Sequence, residues 1–453
     1  MESFDVIVIG AGSGLNISSA ASSMGLKTAI VEKGPMGGTC LNRGCIPSKM
    51  VIHAADVVET INKAKIFGIN SKGYTVDFRR VTERASRTVD KDAKSIEEGI
   101  KQNRKTTLFK AEGRFVGYKT LQVGNKRIKG NKIIIAVGTR PNVPKIEGLK
   151  DVDFMTSTEA LRLTKQPKSL TIIGGGYIAA ELAHFYGALG TKINIIQRRD
   201  TLIPYEDEEI ATRFTEIFKK KYNVLLNSNA VKVAKRGKKF ITTTEDKKRK
   251  RKNIVSEKLL VAAGLTPNTD VLDVRKTNIK TDRRGYIKVN KYMETSVKNI
   301  WALGDIAGKF FFKHSANLEA EYCFNNAFGK KKARVDYYAM PHAIFSSPQV
   351  AGVGMTEQEV KKKNIPYTVG KKDYIETGMG MALDDKDGFV KLLVDKKTRK
   401  ILGCHILGTD ASTLIQEVIV AMKARQKVDI LRKAVHIHPA LSEVVQRAVN
   451  NIH

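Results

Sequence analysis

One arrangement occurs twice in this chain and narrows its fold more than any other feature: a short apolar strand running into clustered glycines, a helix rich in small residues, and a second strand. The first copy begins FDVIVIGAGSGL, with the apolar run Phe4 to Ile9 followed by Gly10, Gly12 and Gly14. NISSAASSMGL then reads as a short helix and KTAIVEK as a strand ending at Glu32. A buried strand, a glycine turn, a helix and an acidic residue about 20 positions on form a dinucleotide-binding fingerprint. Its glycines let the backbone approach a pyrophosphate, the helix N-terminus supplies partial positive charge, and Glu32 is placed to accept from ribose hydroxyls. The third glycine of the pattern is replaced by Leu15, so the first helix is expected to sit slightly looser or shifted against its strand.

The second copy, SLTIIGGGYIAAELAHFYGALGTKINIIQRRD, repeats the order with Gly174, Gly175 and Gly176, and Ala179 takes the third small position. At the end of its second strand, where a site for NADH would carry Asp or Glu, stand Gln197, Arg198 and Arg199. A carboxylate there repels a 2′-phosphate and a guanidinium can clasp it, so NADPH is favoured over NADH. Two dinucleotide sites in one chain imply electron transfer between two cofactors, and a flavin with a nicotinamide is the natural pair.

A length of 453 residues predicts two to four domains. Cysteine is scarce: Cys40, Cys45, Cys323 and Cys404 are too few for a disulfide-stapled secreted fold, and the spacing of the first two matches no zinc knuckle, so no metal site is expected. The N-terminus lacks a basic leader and no stretch approaches the ~18 apolar residues of a membrane span, which reads as a cytoplasmic protein without membrane contact. Lys and Arg number 79 against 46 Asp and Glu, a net charge of +33, with runs such as KKRKRK at 247 to 252. Without aromatic interleaving or a nucleic-acid module these runs read as solvated surface, the longest of them as a hairpin turn between KFITTT and SEKLLVAAG, and no nucleic-acid partner is expected.

Cys40 and Cys45 lie in GGTCLNRGCIPSK, at 37 to 49. That segment resembles the redox-active disulfide motif of the class I pyridine nucleotide-disulfide oxidoreductases, the family of dihydrolipoamide dehydrogenase, glutathione reductase, mycothione reductase and mercuric reductase. The resemblance runs along the whole chain: AVGTRP at 136 to 141, IWALGD at 300 to 305 and HIHPALSE at 436 to 443 are similar to further family motifs, in the family's order. It implies FAD, a nicotinamide coenzyme and a Cys40-Cys45 disulfide that carries two electrons to a small-molecule disulfide. Cys40 would be the thiol that attacks substrate and Cys45 the thiol nearer the flavin, its pKa lowered at a helix start. By the same resemblance Lys49 pairs with Glu181 beside the flavin, Tyr177 gates the nicotinamide pocket, and Asp305 bonds the ribityl chain. Gly38, Thr39, Ala136, Gly138 and Gly264 complete the cofactor positions. His438, oriented by Glu443, is the acid-base group, delivered across a two-fold axis to the partner's site, so a homodimer with shared active sites is implied. His436 is then structural.

Substrate identity is less legible. Ala20 stands where glutathione reductases carry a basic residue, and the ending AVNNIH lacks the cysteine pair of mercuric or high-molecular-weight thioredoxin reductases. An enzyme of the dihydrolipoamide dehydrogenase type is the expected function, with an NADPH-dependent, mycothione reductase-like enzyme as the alternative; Leu265, where the family usually has arginine, bears on coenzyme choice. An NADPH oxidase, a peroxide reductase or a non-catalytic flavoprotein are readings from other classes, and each predicts a missing catalytic group where none is missing. The expected fold is α/β: two Rossmann-like dinucleotide-binding domains, for FAD and NAD(P)H, plus a C-terminal α+β dimerisation domain. The FAD domain takes 1–145 and 266–335, the NAD(P)H domain 146–265 and the interface domain 336–453.

Overall fold

The structure, a computed structural model, describes residues 1–452, so His453, the last residue of the expected interface segment, lies outside it. Five sheets organise the chain. The strand Glu2–Ile9 pairs in parallel with Thr28–Val31 on one side and Lys126–Ile135 on the other, and Ile300–Ala302 joins the far edge of Lys126–Ile135. Antiparallel strands Gly113–Gly117 and Thr120–Val123 extend the same sheet. Val6, Ile7 and Val8 of the first strand are all inaccessible, as a parallel strand covered on both faces requires. Because Ile300–Ala302 is distant in sequence from its neighbour, the chain leaves this sheet and returns to it.

Between departure and return lies a four-stranded parallel sheet containing Ser169–Ile173, Lys192–Ile196, Asn223–Leu225 and Lys258–Val261. A three-stranded antiparallel sheet, Ser228–Arg236, Lys239–Asp246 and Arg251–Ser256, stands beside it. The basic run forms a hairpin as expected, with one difference. Its return strand starts inside the run at Arg251 and stops at Ser256, and Lys258–Val261 belongs to the parallel sheet. Burial alternates along Arg251–Ser256, with Ile254 and Ser256 inward, whereas Leu259, Leu260 and Val261 are all buried. Those two patterns mark a one-sided and a two-sided strand.

The C-terminal part is a five-stranded antiparallel sheet from Pro341–Ile344 to Ile401–Gly408, covered by the helix Ala411–Lys423. Cys404 and Cys323 are buried in apolar clusters. The segment RASRTVDKDAKSIEEGIKQN lies in a polar-faced helix, Phe78–Gln102, that buries only Phe78, Thr82, Ala85, Val89 and Ala93, one stripe at helical spacing. It packs on the helix Cys45–Lys63, which also packs on Tyr177–Ala188. That second contact brings the thiol segment and the second glycine loop together. Among the described residues no helix is long and apolar enough to cross a membrane.

Candidate redox site

The first glycine loop is built by close approach. Gly10 has φ of +103°, and a Cβ there would come within 2.3 Å of the carbonyl oxygen of Ala136. At Gly14 a Cβ would meet Val8 Cγ1 at 2.7 Å, so this position, one before Leu15, provides the tight helix-strand contact. The looser helix expected from Leu15 is therefore corrected, since Leu15 itself packs on the small cluster of Ala11, Ile30 and Met36. Glu32 does more than face a ribose. Its Oε2 accepts from the Ala11 amide at 2.9 Å and its Oε1 from the Gly34 amide at 2.7 Å, leaving one acceptor site on each oxygen. Gly38, φ +67°, rests on Gly12, since a Cβ on Gly38 would lie 2.7 Å from Gly12 Cα; a Cβ on Gly12 itself would have nothing nearer than 3.9 Å. Exposed Thr39 follows in the same short helix.

Ala136 continues the sheet by donating to Ile9 O, and Gly138 turns at φ +61°. Asp305, raised above the ordinary carboxyl range by burial, accepts from Thr139 Oγ1 at 3.0 Å. Open backbone at Gly12, an acid with spare acceptor sites at Glu32 and a half-buried carboxyl at Asp305 suit the pyrophosphate and hydroxyls of FAD, and these residues would hold it. When bound, the flavin supplies two-electron transfer between the nicotinamide and the thiols.

Cys40 sits in the helix Gly38–Arg43 and Cys45 opens the helix Cys45–Lys63 after a break at Gly44. The two cysteines are free thiols, and each bears on the other's proton. Donation from Cys40 brings Cys45 down to about 7, helped by the charge of Lys49 against the effect of burial. Cys40 goes far the other way, through that same hydrogen bond first and burial second. Near neutrality the reduced pair thus holds its negative charge on Cys45 and its proton on Cys40. Lys49 Nζ lies 2.8 Å and 2.9 Å from the two Glu181 oxygens and 4.4 Å from the centre of the Phe345 ring. The Phe345 amide donates to Glu181 Oε1 at 3.1 Å, so the carboxylate is fixed from two sides.

In the second loop Gly174 has φ +122° and would bring a Cβ to 2.2 Å from Ala262 O, while Gly175 is pressed against Gln197 and Leu202. Gly176, before the helix Tyr177–Ala188, faces open space. Tyr177 donates to buried Glu206, which also bonds His342 Nε2 at 2.8 Å, and the Tyr177 ring stacks on that of His342 and lies tilted by 30° to that of Phe312. Gln197 is buried and donates to Thr201 O at 3.0 Å. Arg198 and Arg199 are exposed, Arg199 lies 5.0 Å from the Tyr205 ring centre, and neither has an ion-pair partner among the described residues. Gly264, φ +102°, accepts from the Asn142 amide at 2.9 Å, and Leu265 follows in the short strand paired with Thr139–Pro141.

His438 stands apart from this assembly. Its Nδ1 is 3.0 Å from Glu443 Oε1, and that hydrogen bond holds the Glu443 carboxyl below its ordinary range. The His438 side chain is 71% exposed, and among the described residues no contact joins it to either thiol. His436 turns inward, 2.9 Å from Glu417, while Val435 and Ile437 on either side are 99% and 79% exposed. The chain thus assembles Cys40, Cys45, Lys49 and Glu181 itself and displays the His438-Glu443 pair outward. Sequence reading missed Glu206, His342 and Lys313, the last of which acts electrostatically on both thiols. No motif marks them.

Comparison with known proteins supplies the family. The family model described as pyridine nucleotide-disulphide oxidoreductase matches residues 4–322, and its dimerisation domain matches 340–449. Mycothione reductase of Mycobacterium tuberculosis is 34% identical over 464 residues, covering 99% of each chain. Dihydrolipoyl dehydrogenase of Geobacillus stearothermophilus is 35% identical over 450 residues, covering 98% of this chain and 95% of that one. Among solved structures, the HOCl-induced flavoprotein disulfide reductase RclA from Escherichia coli, in a Cu(II) complex, superposes with a TM-score of 0.89 at 26% identity over 99% of both chains. On the breadth of these matches the chain belongs to the pyridine nucleotide-disulphide oxidoreductases, as an FAD-dependent enzyme that moves electrons between NAD(P)H and a sulfur substrate.

Proposed function

We propose that the enzyme works from NADPH towards a low-molecular-weight disulfide, electrons passing through FAD to Cys40-Cys45 and on to the substrate. The observation that carries this direction is the end of the strand Lys192–Ile196: Gln197 turns inward and two unpaired arginines are left facing solvent. A 2′-phosphate would find guanidinium groups not already ion-paired with a carboxylate. Residues 1–145 and 266–335 are assigned to FAD, 146–265 to NADPH and 336–453 to a homodimer interface, in a cytoplasmic enzyme. The outward display of His438 suits an acid-base group that serves the second protomer's dithiol.

A cleft of about 540 Å³ between the first helix and Lys313–Phe328 is lined by Asn16, Ala20, His314, Asn317, Glu321 and Phe324, among others, and by no Lys or Arg. It offers a substrate carboxylate no cation and favours a neutral disulfide over glutathione disulfide. A second reading is supported by the match to dihydrolipoyl dehydrogenase: the same relay run backwards, oxidising dihydrolipoamide with a nicotinamide coenzyme. Turnover of mycothione, lipoamide and glutathione disulfide with NADPH and with NADH separates the two. Preference for NADPH with a neutral disulfide is expected, and preference for NADH with lipoamide would replace it by the second reading. Anaerobic NADPH titration that bleaches the flavin without passing further reducing equivalents on to a Cys40-Cys45 disulfide would instead indicate an oxidase or peroxide reductase.

A further inference from the structure

Tyr177 opens the helix Tyr177–Ala188, and Glu181, four residues on, lies on the same face. The first stands directly after the second glycine loop, and the second holds Lys49, which shares a helix with Cys45. A dinucleotide with its pyrophosphate at open Gly176 would have to send its nicotinamide past the Tyr177 ring to reach Lys49. The ring fills that path. Its centre lies 6.0 Å from that of Phe312, just ahead of the helix Lys313–Phe328, and 6.1 Å from that of His342, on the strand Pro341–Ile344 of the C-terminal sheet. Phe312 and His342 are themselves 6.2 Å apart, so three rings from three regions of the chain close the gap.

A buried carboxylate holds the ring there. Tyr177 Oη donates to Glu206, and His342 Nε2 donates to the other Glu206 oxygen at 2.8 Å. The Glu206 side chain is 1% exposed. Burial raises its carboxyl, and the His342 and Tyr177 contacts outweigh burial and hold it below the ordinary range. The backbone around it is fixed. Ile203 takes φ of +43°, which a β-branched residue rarely adopts, and its amide donates to Gly175 O at 2.6 Å. The Glu206 amide donates back to Ile203 O at 3.0 Å, and Gln358 Nε2 donates to Glu206 O at 2.8 Å. Backbone strain of this kind persists where the surroundings over-determine it, and it clusters at functional sites. The carboxylate is therefore the rigid partner, and the Tyr177 ring the movable one.

We propose that Glu206, backed by His342, is the latch of Tyr177: a positioning pair that holds the ring across the nicotinamide path and that coenzyme binding must release. This rests on the reading of Tyr177 as the gate of that pocket. A site held mostly closed binds with an apparent affinity lowered by the fraction that is open. The latch bond goes to a buried charge, and such a bond shifts an equilibrium by about tenfold to 100-fold. Loosening it makes the coenzyme bind more tightly, which a merely structural loss at Glu206 would not do.

The test is calorimetric titration of the oxidised, FAD-loaded dimer with NADP+ and with NAD+, and with 2′-phospho-ADP-ribose and ADP-ribose, which lack the nicotinamide. Tyr177→Phe keeps the ring and removes the latch bond; it should lower the Kd of both coenzymes by about tenfold and leave that of both fragments unchanged. Glu206→Leu should act alike, and the two together should bind no tighter than either alone, because one contact has been removed twice. Tyr177→Phe carries the test by itself if the leucine variant does not fold. Coenzyme affinity unchanged or weakened in Tyr177→Phe, or a fragment shifted as much as its coenzyme, would overturn the latch. Tyr177→Ala removes the ring and tests the gate beneath it. An unchanged coenzyme Kd there would overturn the gate, whereas a change there with none in Tyr177→Phe would overturn the latch alone. Both coenzymes carry the same nicotinamide half, so neither outcome depends on the preference for NADPH.

Discussion

The two glycine loops share a backbone and differ in what fastens them. In the first, the carboxylate of Glu32 reaches back and clamps the Ala11 amide. In the second, the corresponding strand ends in Gln197, whose side chain is packed under Gly175, and the loop is closed by the Ile203 amide donating to Gly175 O at 2.6 Å. The first loop is held by charge at its open side and the second by packing from beneath. What this teaches is that the scaffold tolerates no change at Gly10 or Gly174, where a Cβ would strike a carbonyl oxygen at 2.3 Å or 2.2 Å, but leaves the end of each second strand free to choose a ligand.

The sharpest way to break the comparison is Gly174→Ala beside Gly10→Ala. Each clash is with main chain and each φ is positive, so the first variant should lose reduction by NADPH while keeping yellow flavin, and the second should lose the flavin itself. Absorbance at purification and stopped-flow reduction read the two losses. Less drastic is Glu32→Ala, which removes the two acceptor sites a flavin nucleotide's ribose hydroxyls would use on the carboxylate, together with its internal bonds to the Ala11 and Gly34 amides. At about 1.5–3 kcal/mol for each hydroxyl bond lost, FAD affinity should fall by roughly 100-fold or more, measured by apoprotein titration; an unchanged affinity would mean that packing alone holds both loops. Smaller again, Arg198→Glu with Arg199→Ala should move the NADPH to NADH ratio of kcat/KM by roughly tenfold to 100-fold towards NADH, with flavin binding unaffected.

The smallest effect touches neither loop. Because the pKa of Cys45 is lowered in the folded protein, its thiolate is present above about 7 and is protonated as pH falls through that value. The thiolate absorbance of the reduced enzyme should therefore persist at pH 8 and fade between pH 8 and 6. Lys49→Met should move the fade to higher pH, since a cation that favours the charged form is gone.

Legibility in the sequence followed the range of the forces involved. Gly10, Gly12, Gly174 and Glu32 announce themselves because a turn and its strand are neighbours in the chain. The pairing of Lys49 with Glu181 spans 132 residues and came only from resemblance. Glu206 and His342, 136 residues apart, have no local signature, because each looks like a surface residue until the fold buries it. Lys313 is the same case across 300 residues to Ser13. Leu15 misleads for a different reason: it holds the pattern position, but the close helix-strand contact is made by Gly14, one residue earlier. The expectation that a helix start would lower the pKa of Cys45 gave the right direction, but the principal cause is the proton shared from Cys40.

Consider finally the clamp from Glu32 as a matter of entropy. The loop around Ala11 is fastened by the chain's own carboxylate, so its conformational freedom is surrendered during folding and not during ligand capture. A flavin arriving at such a loop meets a rigid host. Apoprotein stripped of FAD should consequently retain its first sheet and recapture the cofactor in a single fast phase, with little reordering left for the ligand to impose.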